Sequence, residues 1–170
     1  LRIGVIEMKR IGLLLLLVVL VSASVLAQNK ALSLDGDGDY AEITNSNVFD
    51  ITGEITMEAW VMLNDTGIDA KIISRRPAYV LTVFRSNKAE TEVFTNGQYH
   101  LTRWEDGGTV LEPDKWYHVA GTFDGSQMVT YINGRLDRST EHEGKIDVVD
   151  FPICLGQMSD GAEEFLNGIL

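Results

Sequence analysis

Cysteine is almost missing from this chain. Cys154 stands alone among 170 residues, so no disulfide can form within it. It lies in the apolar run Ile153-Cys154-Leu155-Gly156 and reads as a small buried hydrophobe; the other reading is a thiol with a partner on another chain or beyond Leu170. Basic charge is also scarce, with 14 Lys and Arg against 25 Asp and Glu and a formal net charge of −11. That sign repels nucleic acid and anionic lipid and suits divalent cations. No window carries a helical period, no segment repeats, and no low-complexity linker divides the chain. No G-x-S-x-G elbow, P-loop or dinucleotide fingerprint occurs. His100, His118 and His142 follow no metal-binding spacing. The common signatures of hydrolases, nucleotide binders and zinc proteins are therefore absent.

The N-terminus carries an export pattern. Lys9-Arg10 precedes the apolar stretch Ile11 to Val21, and Ser22 to Ala27 end it with small residues. This is a positive region, a hydrophobic region and a cleavage site. Val25 and Ala27 suit positions −3 and −1, which predicts cleavage after Ala27. A transmembrane span needs roughly 20 uninterrupted apolar residues, and Ser22 and Ser24 interrupt this one. Gln28 follows the cut, so no lipid-attachment cysteine is present. Leu1 to Glu7 precede the natural start at Met8 and are left out of the fold. Residues 1–27 are read as upstream sequence and signal peptide, and residues 28–170 as one domain. The leader holds Arg2, Lys9, Arg10 and Glu7, so its removal takes the net charge from −11 to −13. The expected location is secreted, extracellular or in the cell envelope, with membrane contact only through the export signal.

Short β-type segments then alternate with turn residues. Leu32 and Leu34 alternate with polar neighbours; Tyr40 to Ile43 follows Asp35-Gly36-Asp37-Gly38-Asp39. Ile55, Met57, Ala59, Val61 and Leu63 fall on one face of a long strand. Further strands are expected at 71–74, 79–84, 92–95, 99–103, 116–123, 128–132, 135–139 and 153–155. Many short strands with turns between them predict an all-β sandwich or barrel. In Trp116 to Phe123, Trp116, His118, Ala120 and Thr122 face one side and Tyr117, Val119 and Phe123 the other. Both faces are largely apolar, so this strand is expected between layers, with Trp60 and Trp116 in the core. Asp124-Gly125 is a turn, and Asn133-Gly134 is a strong hairpin signal.

The phrase Trp116-Tyr117-His118-Val119-Ala120 … Asp124-Gly125 … Tyr131-Ile132-Asn133-Gly134 resembles the signature of LamG-like jelly-roll domains, relatives of the concanavalin A-like lectins and pentraxins. Ala31 to Gly36 resembles the opening strand of that family. Ile55-Thr56-Met57-Glu58-Ala59-Trp60-Val61 resembles its second fingerprint, and Phe165-Leu166-Asn167-Gly168-Ile169 its closing F-x-G-x-I. The resemblance implies an antiparallel jelly-roll β-sandwich. Family members continue the closing motif with D-E-V and a last strand, so the resemblance implies that this strand is missing and that Ala31–Leu34 lacks a neighbour. Further domains downstream are part of the same expectation.

Candidate chemistry is sparse. Asp35, Asp37 and Asp39 alternate with glycine, and clustered carboxylates favour a counter-ion, so structural Ca²⁺ is expected there, with Asp160 available to close the site. An EF-hand register fails, because Tyr40 and Ser46 stand where Gly and Glu are required. For glycoside hydrolysis two carboxyl groups must flank a bond. In Lys145-Ile146-Asp147-Val148-Val149-Asp150 the register puts Lys145 first, and Asp147 and Asp150 face opposite sides. Glu90 and Glu92 share a face, as do Glu141 and Glu143, but neither pair reads as part of an apolar strand that would shift a pKa. The chain is therefore expected not to be an enzyme. Trp104, in a polar loop with Arg103 and just after Tyr99, is the expected sugar-stacking residue, with Arg103 and Tyr99 as polar neighbours. The reading is a secreted, non-catalytic module that recognises extracellular glycans or proteins. A structural or adhesion module of a larger envelope protein comes second, and a glycoside hydrolase third.

Overall fold

A computed structural model describes residues 30–45, 47–67, 69–103 and 107–170. Residues 1–27, expected to be a signal peptide with upstream sequence, and Trp104 lie outside them. The chain divides into Leu1–Ala31, almost wholly outside the described residues, and a compact unit Leu32–Leu170.

The described residues of that unit form twelve strands: β1 Ser33–Asp35, β2 Ala41–Ile43, β3 Ile55–Leu63, β4 Ala70–Arg75, β5 Tyr79–Val83, β6 Ala89–Thr95, β7 Gln98–Leu101, β8 Trp116–Phe123, β9 Gln127–Ile132, β10 Arg135–Glu141, β11 Ile153–Leu155 and β12 Asn167–Ile169. They form two six-stranded antiparallel sheets, ordered β1-β12-β3-β8-β9-β10 and β2-β11-β4-β5-β6-β7. This is the expected sandwich. The strands 71–74, 92–95 and 135–139 each prove longer than expected, because pairing with a neighbour extends them past their apolar residues.

Period-2 alternation sets the faces. In β3, Ile55, Met57, Val61 and Leu63 are buried while Thr56, Glu58 and Trp60 are exposed. The register pairs Val61 with Tyr117 and Ala59 with Val119, which brings the inward faces of β3 and β8 together. Val61, Leu63, Ile72, Leu81, Val93, Val119, Phe123, Met128 and Leu166 fill the space between the sheets. Each buried side chain of this kind contributes about 1.5–3 kcal/mol before conformational entropy is subtracted. Polar groups between the sheets bond to one another: Thr91 Oγ1 lies 2.8 Å from Thr130 Oγ1, and Thr102 Oγ1 lies 2.7 Å from it. The Asn133-Gly134 turn is confirmed, with φ of 52° and 73°; Asn96-Gly97 repeats it between β6 and β7 at 53° and 72°. Both are the positive-φ pairs that a two-residue hairpin requires.

Three expectations are corrected. Trp60 and Trp116 are 59% and 45% exposed. Their strands bury only one face, so β8 is not covered on both sides. Ser33–Asp35 does not lack a neighbour: it pairs with Asn167–Ile169, and Leu32 and Leu170 bond to each other through both main-chain groups. The closing motif itself supplies the partner strand. The carboxylate segment 145–150 forms no strand, and Asp147 instead accepts hydrogen bonds from the Asn96 and Gly97 amides at the β6–β7 turn.

Cys154 is buried, as its apolar run predicts, and burial pushes its thiol pKa up. Asn64 is exposed and donates to Asn167 Oδ1 at 3.0 Å.

Candidate functional site

The outer face of the second sheet is the most chemically loaded surface of the described residues. On β6, Glu90, Glu92 and Phe94 alternate with the core residues Ala89 and Val93 and so point outward. Across the ladder, Thr82 stands opposite Glu90, Leu101 opposite Glu92, and Tyr99 opposite Phe94. Lys71 of β4 stands opposite Thr82. The chain segment following Gly156 returns over part of this face. Ser74 Oγ is within 3.4 Å of Met158 Sδ and 3.2 Å of Ser159 Oγ, and Lys71 Nζ is 3.0 Å from Glu164 Oε2. Outward positions of β4 to β6 are therefore buried although they lie outside the core.

The uncovered remainder is a hollow of about 280 Å³. Lys71, Arg76, Glu92, Tyr99, Leu101 and Arg103 border it. A second hollow of about 530 Å³ runs along the other side of β7, between Gln98, His100, Glu141 and His142. Tyr99 and Arg103 border both. Two of the three residues expected to bind ligand thus share one wall, formed by the edge strand β7 and by Arg103, two residues past its end. Tyr99 is 59% exposed and its ring lies 5.9 Å from that of Phe94.

Charge in the smaller hollow is mixed. Burial pushes the Glu92 carboxyl above its usual range, and Lys71 and Arg76 pull it partly back. This corrects the expectation that Glu90 and Glu92 lack an environment able to shift a carboxyl. Their strand is buried along nearly its whole length, and Glu90 is only 3% exposed. Flanking polar residues in the sequence hid this, because the cover comes from residues 156–164, some 65 positions away. Arg76 faces Asp160 at 3.6 Å and stacks over Phe94 at 5.8 Å. Lys71 and Arg76, which border the hollow, were not among the expected ligand contacts, and Glu92 was considered only as half of a carboxylate pair; the alternation of Glu90, Glu92 and Phe94 was the available signal.

The expected metal donors do not fit a cation as placed. Among the described residues no three His, Cys, Asp or Glu side chains gather as a metal site. Asp35 Oδ1 accepts the Asp37 amide at 2.8 Å, a local turn that uses the carboxylate on main chain. Asp160 is engaged with Arg76 and with the Ala162 amide. Asp35, Asp37, Asp39 and Asp160 thus form no shared shell.

In the larger hollow, the His100 and His142 rings stack at 3.5 Å with a 17° tilt, and His142 Nε2 is 2.8 Å from Thr95 Oγ1. Burial first, and His100 second, hold the His142 ring below the ordinary 6.5. The folded state therefore favours neutral His142, while the unfolded ring takes its proton near 6.5. The resulting stability is present above that pH and is lost as pH falls through it toward the folded value. Glu92, with its raised pKa, acts in the opposite direction, so the comparison must be between proteins. The melting temperature of wild type is expected to fall more than that of His142→Asn between pH 7.5 and pH 5. Parallel slopes would remove His142 as the cause.

No curated protein sequence matches the chain. Solved structures resemble it in fold. Domains LG4-5 of mouse laminin alpha1 superpose with a TM-score of 0.62 at 16% identity over 85% of this chain, which spans 40% of theirs. The carbohydrate-binding module CBM40 of Ruminococcus gnavus IT-sialidase, bound to alpha2,3 sialyllactose, gives 0.63 at 13% identity over 84% of this chain and 86% of that one. Domain 4 of the arabinanase AbnA from Geobacillus stearothermophilus, in complex with arabinotriose, gives 0.56 at 11% identity over 82% and 77%. At these identities the likeness establishes the fold, a sandwich that carries laminin G domains and carbohydrate-binding modules alike. Residues 35–170 match the laminin G profile of the concanavalin A-like lectin/glucanases superfamily, and the chain belongs to that family.

Proposed function

We propose that this protein is a secreted, non-catalytic recognition module whose glycan-binding wall is Tyr99 and Arg103. The observation that carries the reading is the position of Tyr99 on β7, and of Arg103 two residues past its end, between the two hollows. An exposed phenol ring offers a flat apolar face, and a guanidinium offers several fixed donors to hydroxyl or carboxyl oxygens. Phe94 backs the ring, and Arg76 and Glu92 extend the polar floor. Two structural neighbours with a sugar bound, the CBM40 and the arabinanase domain, support the ligand class. The hollows are open and shallow, so affinity for a single glycan is weak.

Catalysis is not proposed. Glu90 and Glu92 both border the smaller hollow, but Glu90 is only 3% exposed and Glu92 half-buried. A glycan array followed by titration tests the reading. Tyr99→Ala and Arg103→Ala are each expected to weaken binding by about 1 kcal/mol, roughly fivefold in Kd, with no release of reducing sugar by wild type. Sugar release would establish a hydrolase instead. Retention of a protein without any glycan would favour the adhesion-module reading.

A further inference from the structure

The opposite face of the sandwich carries its own group of exposed aromatics. Trp60 of β3 is 59% exposed and Trp116 of β8 is 45% exposed. Trp60 stands directly across the ladder from His118, and Trp116 across from Met62, so both indoles lie on the outer face of the first sheet. The Trp60 and His118 rings meet edge to face, 5.4 Å apart at 61°. His118 Nε2 is 3.4 Å from Glu58 Oε2, on the next outward position of β3. Trp60, His118, Asn133 and Gly134 frame an open hollow of about 490 Å³. The hairpin turn Asn133-Gly134 forms its rim, and the Asn133 side chain is pinned by the His118 amide at 2.9 Å.

Size and charge choose the occupant. A stable protein partner covers roughly 800 Å² per side, far more than a hollow framed by four residues. A volume of this order suits a small ligand or a short segment of a polymer, which occupy roughly 300–1,000 Å³. A second copy of the chain would bring the same net charge of −11 to the face. The lining is also mixed. An indole face wants an apolar partner of matching flatness, while Glu58 and His118 beside it offer an acceptor and a ring nitrogen to hydroxyl groups. A pyranose whose hydroxyls are equatorial has this character, with C–H groups on its faces and hydroxyls round its edge.

We propose that Trp60, His118, Glu58 and Trp116 form a second saccharide-binding surface. It takes β-linked chains of equatorially hydroxylated pyranose units, on the face of the sandwich opposite Tyr99 and Arg103. Trp60 carries the stacked unit, Glu58 and His118 bind its hydroxyls, and Trp116 lies along the strand direction for the next unit. The surface is independent of the Tyr99–Arg103 wall, and the two can hold different glycan chains at once.

Cellohexaose is the probe, titrated into the intact protein and followed by tryptophan fluorescence and by calorimetry. Wild type is expected to bind, Trp60→Ala to bind roughly threefold to tenfold more weakly, and Trp60→Phe to recover part of the loss. Cellohexaose held at the Tyr99–Arg103 wall would respond to Arg103→Ala, so the Trp60 variants are also measured in the Arg103→Ala background, where their effect is expected to persist, which separates the two faces. Melting curves verify that each variant is folded; if Trp60→Ala is not, Trp60→Phe and Trp116→Phe must each weaken binding. Absence of wild-type binding overturns the proposal. So does binding that falls with Arg103→Ala and not with the Trp60 variants, which would leave only the first wall. A concentration-dependent dimer abolished by Trp60→Ala would overturn it in favour of a protein contact.

Discussion

Arg75→Met is expected to lower folding stability by about 3–5 kcal/mol, the usual cost of leaving the partners of a buried charge unpaired. The Arg75 side chain is 1% exposed. Its Nε donates to Phe151 O at 3.2 Å, and its Nη2 donates to Val149 O at 2.9 Å, Asn45 Oδ1 at 3.0 Å and Asp50 Oδ1 at 2.7 Å. Nη1 donates to Phe49 O. One guanidinium therefore ties the end of β4 to Asn45, Phe49 and Asp50 and to Val149 and Phe151, none of which lies in a strand. Methionine matches the stem and supplies no donor, so main-chain oxygens and the Asp50 carboxylate lose their partner together. Lysine keeps the charge but cannot fan out to several acceptors, and Arg75→Lys is expected to recover less than half the loss. Urea and thermal unfolding measure both. A fall below about 1 kcal/mol for Arg75→Met would show that water replaces the guanidinium without difficulty.

Gly168→Ala is expected to cost about 3 kcal/mol, the upper part of the usual overpacking range. A Cβ there would stand 2.4 Å from Met62 O and 3.3 Å from Leu63 Cα, both main chain of β3. No side-chain rotation can relieve that contact. Strand β12 must draw away from β3, and β1, whose Leu34 pairs with Gly168, must move with it. Hydrogen exchange at the Leu34 and Leu63 amides is expected to quicken well before global unfolding. Unchanged protection and an unchanged melting temperature would mean that the strands tolerate the closer packing. At Gly121 a Cβ would also collide, but with the Thr91 side chain, which can turn at the expense of its bond to Thr130.

Gly168 also shows what the sequence makes legible. The closing segment Phe165–Ile169 reads as a family strand, although its glycine stands fourth and not third as F-x-G-x-I requires, and Asn167–Ile169 of it forms the strand; alternation places Ile55, Met57, Val61 and Leu63 inward. These are local patterns, and they deliver the sandwich. That glycine 168 exists to let two main chains approach, and that the motif pairs with the opening strand, are long-range facts with no local trace. The same holds at the sites. Tyr99 and Arg103 stood out because aromatic and cationic groups in a polar stretch have few structural uses. Trp60 and Trp116 were misplaced because aromatics in a strand are buried more often than not, and composition does not say which face of the sheet is covered. Glu92 was passed over because its cover arrives from residues near the chain end. Arg75 gave no signal at all; an arginine closing a strand reads as solvent-exposed until the loops around it are in place.

The mutual bonds between Leu32 and Leu170 have a mechanical consequence. The two residues lie side by side on antiparallel strands, so a load applied through them pulls at one end of the β1–β12 ladder and not along it. Its hydrogen bonds then break one after another, each alone bearing the tension. Such a junction opens like a zip at low force, whereas strands pulled past each other would share the load across the whole ladder. A molecule held by these two points gives way first at its closing strands, while the β3–β8–β9 pairing and both proposed saccharide walls stay intact behind them.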